Sequence, residues 1–283
     1  MSAEMPFTNS ELTTALRCAR QHALTYGRSL VSRIPPSPMA ATSLGTEFHL
    51  AAQEYYSGTP AQEILDRLYL EDEQASNIVG WTFEKYVEWL QASGADAHRK
   101  TLGAEAAYSI QTPHGAVQGL VDLVQLDEET GEVVLVDFKT TGMRPAMKAR
   151  ELEYTDQMLH YLLLLQDTYP GTNRIEFRII PRYAGAGSDW DILPVEVIER
   201  RVSPERMEAY RNHLDMKLAR AIGQRRLRDT HPVDILPTRD HDCPWRCPFA
   251  NVCRDADENR SIWDAILLTD FVAGNPLERY EEF

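Results

Sequence analysis

Between residues 102 and 139 the chain turns from helical to strand periodicity and keeps it through three consecutive segments. No other feature restricts the fold as much. Residues 102–112 read as a strand ending at the turn Pro113-His114-Gly115. Residues 116–126 read as a second strand. The charged turn over 127–131, closed by Gly131, leads into a third strand over 132–139, rich in Val and Leu. Three successive strands with apolar faces must be covered, so the elements on either side have to pack onto them.

Those elements read as helices. Thr8 and Glu11 fit a capping box that opens a helix over 9–26. A Pro-rich loop over 34–39 follows, and Thr42 or Ser43 can cap a helix ending near Tyr56. Further helices are predicted over 61–68 and 71–92. After the meander come a helix over 146–167, strands over 173–181 and 194–202, and a helix from Ser203 or Pro204 to about Leu227. The remainder is irregular except for a helix over 261–268. This order predicts an α/β or α+β core preceded by a helical elaboration. With 283 residues and 43% hydrophobic composition, a sizeable core is available. The longest strongly apolar run, Tyr161 to Leu165, is far too short to cross a bilayer. The first residues carry no apolar stretch of a secretory signal, so a cytoplasmic protein without membrane association is expected.

The second and third strands carry the chemistry. If their turn centres near Glu129, Asp122 falls opposite or beside Asp137, roughly 4.5–5.5 Å away. Lys139, two residues on, shares a face with Asp137, while Phe138 points to the other face. Two close carboxylates repel and push one pKa up, and a divalent cation removes the conflict. Hard oxygen ligands suit Mg²⁺ or Mn²⁺, which can polarise a phosphodiester. Lys139 can position a nucleophile or stabilise developing charge. Equally, an Asp-x-Lys tripeptide can be a solvated strand end with a salt bridge. Gly45 and His49 share a helix face, as do Gln157 and Tyr161, and Glu105 lies on the first strand. Singly, each reads as well as a packed or surface residue.

The net charge of −14 runs against nucleic-acid binding as an average, although a metal site concentrates carboxylates. Basic residues cluster near the start (Arg17, Arg20, Arg28, Arg33) and the end (Lys217, Arg220, Arg225, Arg226, Arg228). They form either solvated helix faces or a surface that tracks phosphates. Four cysteines in a cytosolic chain point to metal rather than disulfides. Cys243, Cys247 and Cys253 are clustered and Cys18 is remote. Four thiolates suit an iron–sulfur cluster or zinc, the latter with His231 or His241 available; unligated cysteines in a packed tail are the third reading. Neither GxGxxG nor a Walker A sequence is present, which weakens a redox or helicase function.

The segments GTEFH (45–49), GLVD (119–122), VDFKT (136–140) and QMLHY (157–161) resemble, in order, the motifs of RecB-type nucleases of the PD-(D/E)XK superfamily. That group includes CRISPR-adaptation and phage exonucleases. The resemblance runs from about residue 10 to 255. It implies a restriction-endonuclease-like α/β core: a mixed sheet flanked by helices, with an N-terminal helical elaboration and a C-terminal iron–sulfur segment. The corresponding divisions are 1–100, which supplies Cys18 and His49, 101–230 and 231–283. It further implies that His49, Asp122, Asp137 and the Phe138 carbonyl hold Mg²⁺ or Mn²⁺, with Glu105 a further acidic position. Lys139 is then catalytic, and Gln157 and Tyr161 orient it or contact DNA. Cys18 in LRCARQH (16–22), with Cys243, Cys247 and Cys253, resembles the set that holds a [4Fe-4S] cluster tying the chain ends together. The implied activity is a metal-dependent deoxyribonuclease, an exonuclease on single-stranded DNA ends. Its partners would be DNA and recombination or replication proteins, in repair, phage or CRISPR DNA processing. The alternative is a DNA-binding module with a structural cluster and incidental or absent cleavage.

Overall fold

A computed structural model describes residues 6–70, 74–152, 155–182, 193–238, 243, 247–255 and 259–275. The chain forms two compact units. One comprises residues 1–35, 109–118 and 208–283; the other comprises 36–108 and 119–207. No helix among the described residues is long and apolar enough to cross a membrane.

The elements, in order, are β1 (Phe7–Thr8), α1 (Asn9–Arg17), α2 (Ala19–His22), β2 (Leu30–Ser32), α3 (Ala41–Tyr56), α4 (Ala61–Leu70) and α5 (Gln74–Ser93). The meander follows as β3 (Arg99–Thr112), β4 (Gly115–Asp127) and β5 (Glu132–Thr141). Then come α6 (Pro145–Leu152), α7 (Gln157–Thr168), β6 (Arg174–Pro181), β7 (Glu196–Arg201), α8 (Pro204–Arg225), α9 (Ala250–Asp255), α10 (Arg260–Asp270) and β8 (Phe271–Ala273). The main sheet has the order β1-β4-β5-β6-β7, with β3 also paired to β4. β4–β5 and β6–β7 are antiparallel, whereas β5–β6 is parallel. This is the mixed sheet flanked by helices that the motifs imply.

In the larger unit, β5 is the central strand. Its buried run Val134–Phe138 is apolar except at Asp137, as expected for a strand covered on both faces. Val134, Val136 and Phe138 face a core formed with Leu44, Phe48, Phe83 and Tyr86 from α3 and α5. On β6 the sequence Glu176-Phe177-Arg178 alternates, and both charges are buried. The Arg178 guanidinium donates to Asp96, Glu176, and the Tyr56 and Tyr86 hydroxyls, at 2.5–3.1 Å. Arg99 pairs with Glu176 at 2.7 Å. A buried guanidinium is tolerable only when its donors are so satisfied.

In the smaller unit several of these basic residues bond other parts of the chain, while Arg33, Arg226 and Arg228 remain exposed. Arg20, buried, donates to the Ile235 carbonyl and lies over the Trp263 ring. Arg28 donates to the carbonyls of Arg228 and Thr230, Arg33 to Leu268, and Arg220 to Ala15. Arg225 pairs with the fully buried Glu11, which also meets His22 at 3.1 Å. Most of the basic residues singled out thus join early to late segments of the chain.

Several boundaries differ from expectation. The first helix is interrupted at Cys18, which is extended (φ −153°, ψ 116°), and helical backbone resumes over Ala19–His22 and continues as a wider turn over Ala23–Gly27. Thr8 accepts from the Glu11 amide as in a capping box, but the Glu11 carboxylate serves His22 and Arg225 instead of reaching back. Helix α3 begins at Ala41 behind Ala40, without a side-chain cap, so neither Thr42 nor Ser43 takes that place. The single helix predicted over 146–167 is two, α6 and α7. Thr155 accepts from the Gln157 amide at 3.2 Å, which restarts the helix locally. The short strands β1, β2 and β8 lack any sequence pattern of their own; β2 and β8 pair only with each other.

Candidate metal centre

The β4–β5 ladder pairs Leu123 with Val136 and Asp127 with Glu132. Extending that register by one pair sets Asp122 opposite Asp137, as the turn position predicts. The backbone ladder ends before that pair, and a side chain takes over. The Phe138 amide donates to Asp122 Oδ2 at 2.8 Å. This fixes Asp122 against β5 and leaves its Oδ1 facing His49.

His49 projects from α3 beside Phe48, which anchors the helix in the core. Its Nδ1 lies 2.9 Å from Glu105 Oε1 and 3.4 Å from Asp122 Oδ1. Glu105 is nearly buried and has φ +44°, a conformation costly for any residue with a Cβ. This strained residue lies within β3, and no sequence signal announces it. His49, Glu105 and Asp122 each bring one ligand atom within 4.8 Å of the others, the only such set among the described residues. Asp137 is not in that set. Its carboxylate turns to Lys139, whose Nζ is 2.5 Å from Oδ2. Oδ1 of the same carboxylate is buried without a hydrogen-bond donor.

The charges are strongly interdependent. Burial disfavours ionised Asp122, but His49, Lys139 and the Phe138 amide more than offset this and hold its pKa below the ordinary value. Burial pushes Asp137 up to about 6; Asp122 adds to this and Lys139 opposes it. Lys139 is pulled above its usual pKa by Asp137 and Asp122, against the effect of burial. His49 is likewise desolvated, yet Asp122 and Glu105 raise it to about 10. A proton on His49 therefore neutralises carboxylates as a divalent ion would. One imidazole and three carboxylates, with the Asp137 Oδ1 buried and unbonded, form a donor set suited to Mg²⁺ or Mn²⁺.

The other motif residues make contacts of their own. The Gln157 side-chain amide donates to the Tyr161 hydroxyl at 2.9 Å, so these two bond each other. Gly119 is required by packing: a Cβ there would sit 2.8 Å from Leu164 Cδ1 and 2.9 Å from Tyr161 Cε1. Gly45 would meet only Thr140 Oγ1, at an ordinary 3.7 Å. Sequence reasoning missed the support beneath the site. Phe138 is stacked by Tyr56 and met edge-on by Tyr86, and both hydroxyls are held by Arg178. The period-two charges Glu176 and Arg178 on an otherwise apolar strand were its available signal.

The four cysteines lie together in the smaller unit. Burial pushes the Cys247 thiol up to about 11, and the Cys253, Cys18 and Cys243 thiols add to that rise. The Arg20 guanidinium donates to Cys253 Sγ at 3.7 Å. Among the described residues, the thiols do not close to the 4.8 Å spacing of the His49 group. His231 bonds Asp264 and the Val233 amide instead of a thiol set; His241 lies outside the described residues.

The mixed α/β sheet thus carries two buried carboxylates on neighbouring strands with a lysine beside them. The family model of the PD-(D/E)XK nuclease superfamily matches residues 6–254, and the chain belongs to that superfamily. Nuclease activity with a divalent metal, and DNA as substrate, follow from this membership. Among solved structures, a candidate exonuclease of Eubacterium rectale is similar over 88% of this chain and 87% of its own, with TM-score 0.52 and 10% identity. A phage-related exonuclease of Haemophilus somnus is 11% identical over 74% of this chain and 90% of its own, with TM-score 0.32, too slight a likeness to carry an argument. No curated protein matches the chain.

Metal binding must displace protons here. Between pH 6 and 8, Mn²⁺ affinity is expected to rise about tenfold per pH unit as His49, with pKa about 10, gives up one proton. Below pH 6 the dependence steepens, because Asp137 must also lose one. Titration calorimetry from pH 5 to 8 checks this, and a pH-independent affinity contradicts it.

Proposed function

We propose that this nuclease is a RecB-type exonuclease that hydrolyses DNA from single-stranded ends, as in recombination, repair, replication or phage and CRISPR DNA processing. The observation that carries the site assignment is the buried Asp122–Asp137 pair with Lys139 beside it. Four ordered motifs support the RecB-type branch, and the name of the Eubacterium rectale protein supports exonuclease action.

In this reading His49, Asp122, Asp137 and the Phe138 carbonyl hold the divalent ion, with Glu105 as a ligand or as the partner that orients His49. Bound there, the ion supplies Lewis-acid polarisation of the phosphodiester. Lys139 keeps its proton, so it stabilises charge developing on the phosphate and does not act as a base. Asp122, clamped by the Phe138 amide, keeps its direction as the charges change. Gln157 and Tyr161, bonded to each other, position Lys139 or the DNA strand.

Cys18, Cys243, Cys247 and Cys253 hold a [4Fe-4S] cluster in the same reading. Its support is the grouping of all four thiols around Cys247, where a buried thiolate is unfavourable unless metal compensates it. A multi-iron cluster also holds its thiolates farther apart than a single ion does. The cluster's role is to close a loop of more than two hundred residues, from Cys18 to Cys253, and so restrict the unfolded chain.

Two experiments test this. With 5′- and 3′-labelled single- and double-stranded DNA and Mn²⁺, wild type should release short products from single-stranded ends. Asp137→Asn and Lys139→Met should each lose on the order of 10²–10³ in rate. Equal rates in wild type and Asp137→Asn would remove the site assignment, and binding without cleavage in wild type would favour a DNA-binding module. For the cluster, anaerobically purified protein should be brown with broad visible absorption, and Cys18→Ala should lose iron and thermal stability. A colourless, zinc-loaded protein rejects iron–sulfur.

A further inference from the structure

Strands β5 and β6 run parallel, with Lys139 level with Ile179 and Thr141 level with Pro181. Ligands of open α/β sheets sit off the carboxyl ends of parallel strands. Arg182, the first residue past β6, occupies that position: its amide donates to the Thr141 carbonyl at 2.8 Å. Its guanidinium then folds across Gly142, just beyond β5. A Cβ on Gly142 would lie 2.6 Å from Arg182 Nη2 and 3.5 Å from Cζ, so only glycine leaves this lane open.

Among the described residues the guanidinium has no acidic neighbour. No carboxylate, carbonyl or ring among the described residues pairs with it, although the chain carries 43 acidic residues against 29 basic ones. By contrast Arg99, Arg174, Arg178 and Arg201 of the same unit are all paired with carboxylates. Among the described residues only burial acts on its pKa, which it lowers. A half-buried cation without a partner costs stability and persists where an anion is to be bound. Exposed Met143 and Arg144 follow Gly142 directly.

We infer that Arg182 binds a backbone phosphate of the DNA strand beside the one being cut. Gly142 lies three residues beyond Lys139, about 10 Å along the strand at about 3.3 Å per residue. Arg182 therefore addresses a neighbouring phosphate and leaves the scissile one to the metal centre. The guanidinium fork grips it bidentately, which a lysine cannot do. This assignment rests on the nuclease reading and adds a substrate subsite to it.

The test is binding of fluorescent single-stranded DNA over 50–300 mM salt with Ca²⁺ in place of Mg²⁺, alongside steady-state cleavage and thermal unfolding. Arg182→Met should weaken binding about ten- to hundredfold. It should also reduce the slope of log K against log salt by about 0.7, one phosphate of single strand. KM should rise with kcat nearly unchanged, and the DNA-free protein should unfold at the same temperature or higher. Arg182→Lys should recover only part of the affinity. Gly142→Ala, which displaces the guanidinium, should weaken binding in the same sense. An unchanged affinity and salt slope in Arg182→Met, with active wild type, overturns the assignment. A lowered unfolding temperature with unchanged affinity does so too, showing a structural residue. Wild type that neither binds nor cuts DNA overturns the nuclease reading and this inference with it.

Discussion

The hydrogen bond from the Phe138 amide to Asp122 sits where the β4–β5 ladder runs out, and the site is organised around it. A backbone donor at the end of a ladder would otherwise turn to water. Here it takes a carboxylate from the opposite strand and locks it in place. Asp137 and Lys139 flank the same peptide, so one short segment holds a backbone donor, a carboxylate and an ammonium in fixed relation. Around them, three carboxylates, one imidazole and one ammonium share a largely buried patch, and the charges of His49, Asp122, Asp137 and Lys139 depend on one another. Such an arrangement costs stability in isolation and is resolved when a divalent cation joins it.

The rigidity of that segment comes from beneath. Phe138 is the core-facing residue between Asp137 and Lys139, and it is fully buried among Phe48, Tyr56 and Tyr86. The two tyrosine hydroxyls in turn are tied to Arg178, Asp96 and each other. A buried polar network with every member bonded holds one geometry, whereas a half-satisfied one would be a liability. The candidate metal centre is thus supported by packing on one face and balanced by charge on the other.

Much of this was legible in the sequence, for physical reasons. The charged turn over 127–131 fixed the hairpin register, and a period of two then placed Asp137 and Lys139 together and Phe138 in the core. Helical spacing put Gln157 and Tyr161 side by side. What could not be read depends on tertiary context. The extended residue at Cys18 and the restart at Gln157 lie within stretches of good helix pattern. Glu105 sits at positive φ with nothing local to demand it. Several members of the basic clusters, such as Arg20 and Arg220, bond carbonyls far along the chain, which no local pattern encodes. Two-residue strands such as β1 exist only because a neighbour offers an edge.

The most direct test of the account is a Mn²⁺-soaked crystal with anomalous scattering measured at the manganese edge. A single strong peak is predicted, ligated by His49, Asp122, Asp137 and the Phe138 carbonyl, with Asp137 turned from Lys139 towards the ion. A saturated crystal with no peak at this centre, or with the ion elsewhere, would contradict it.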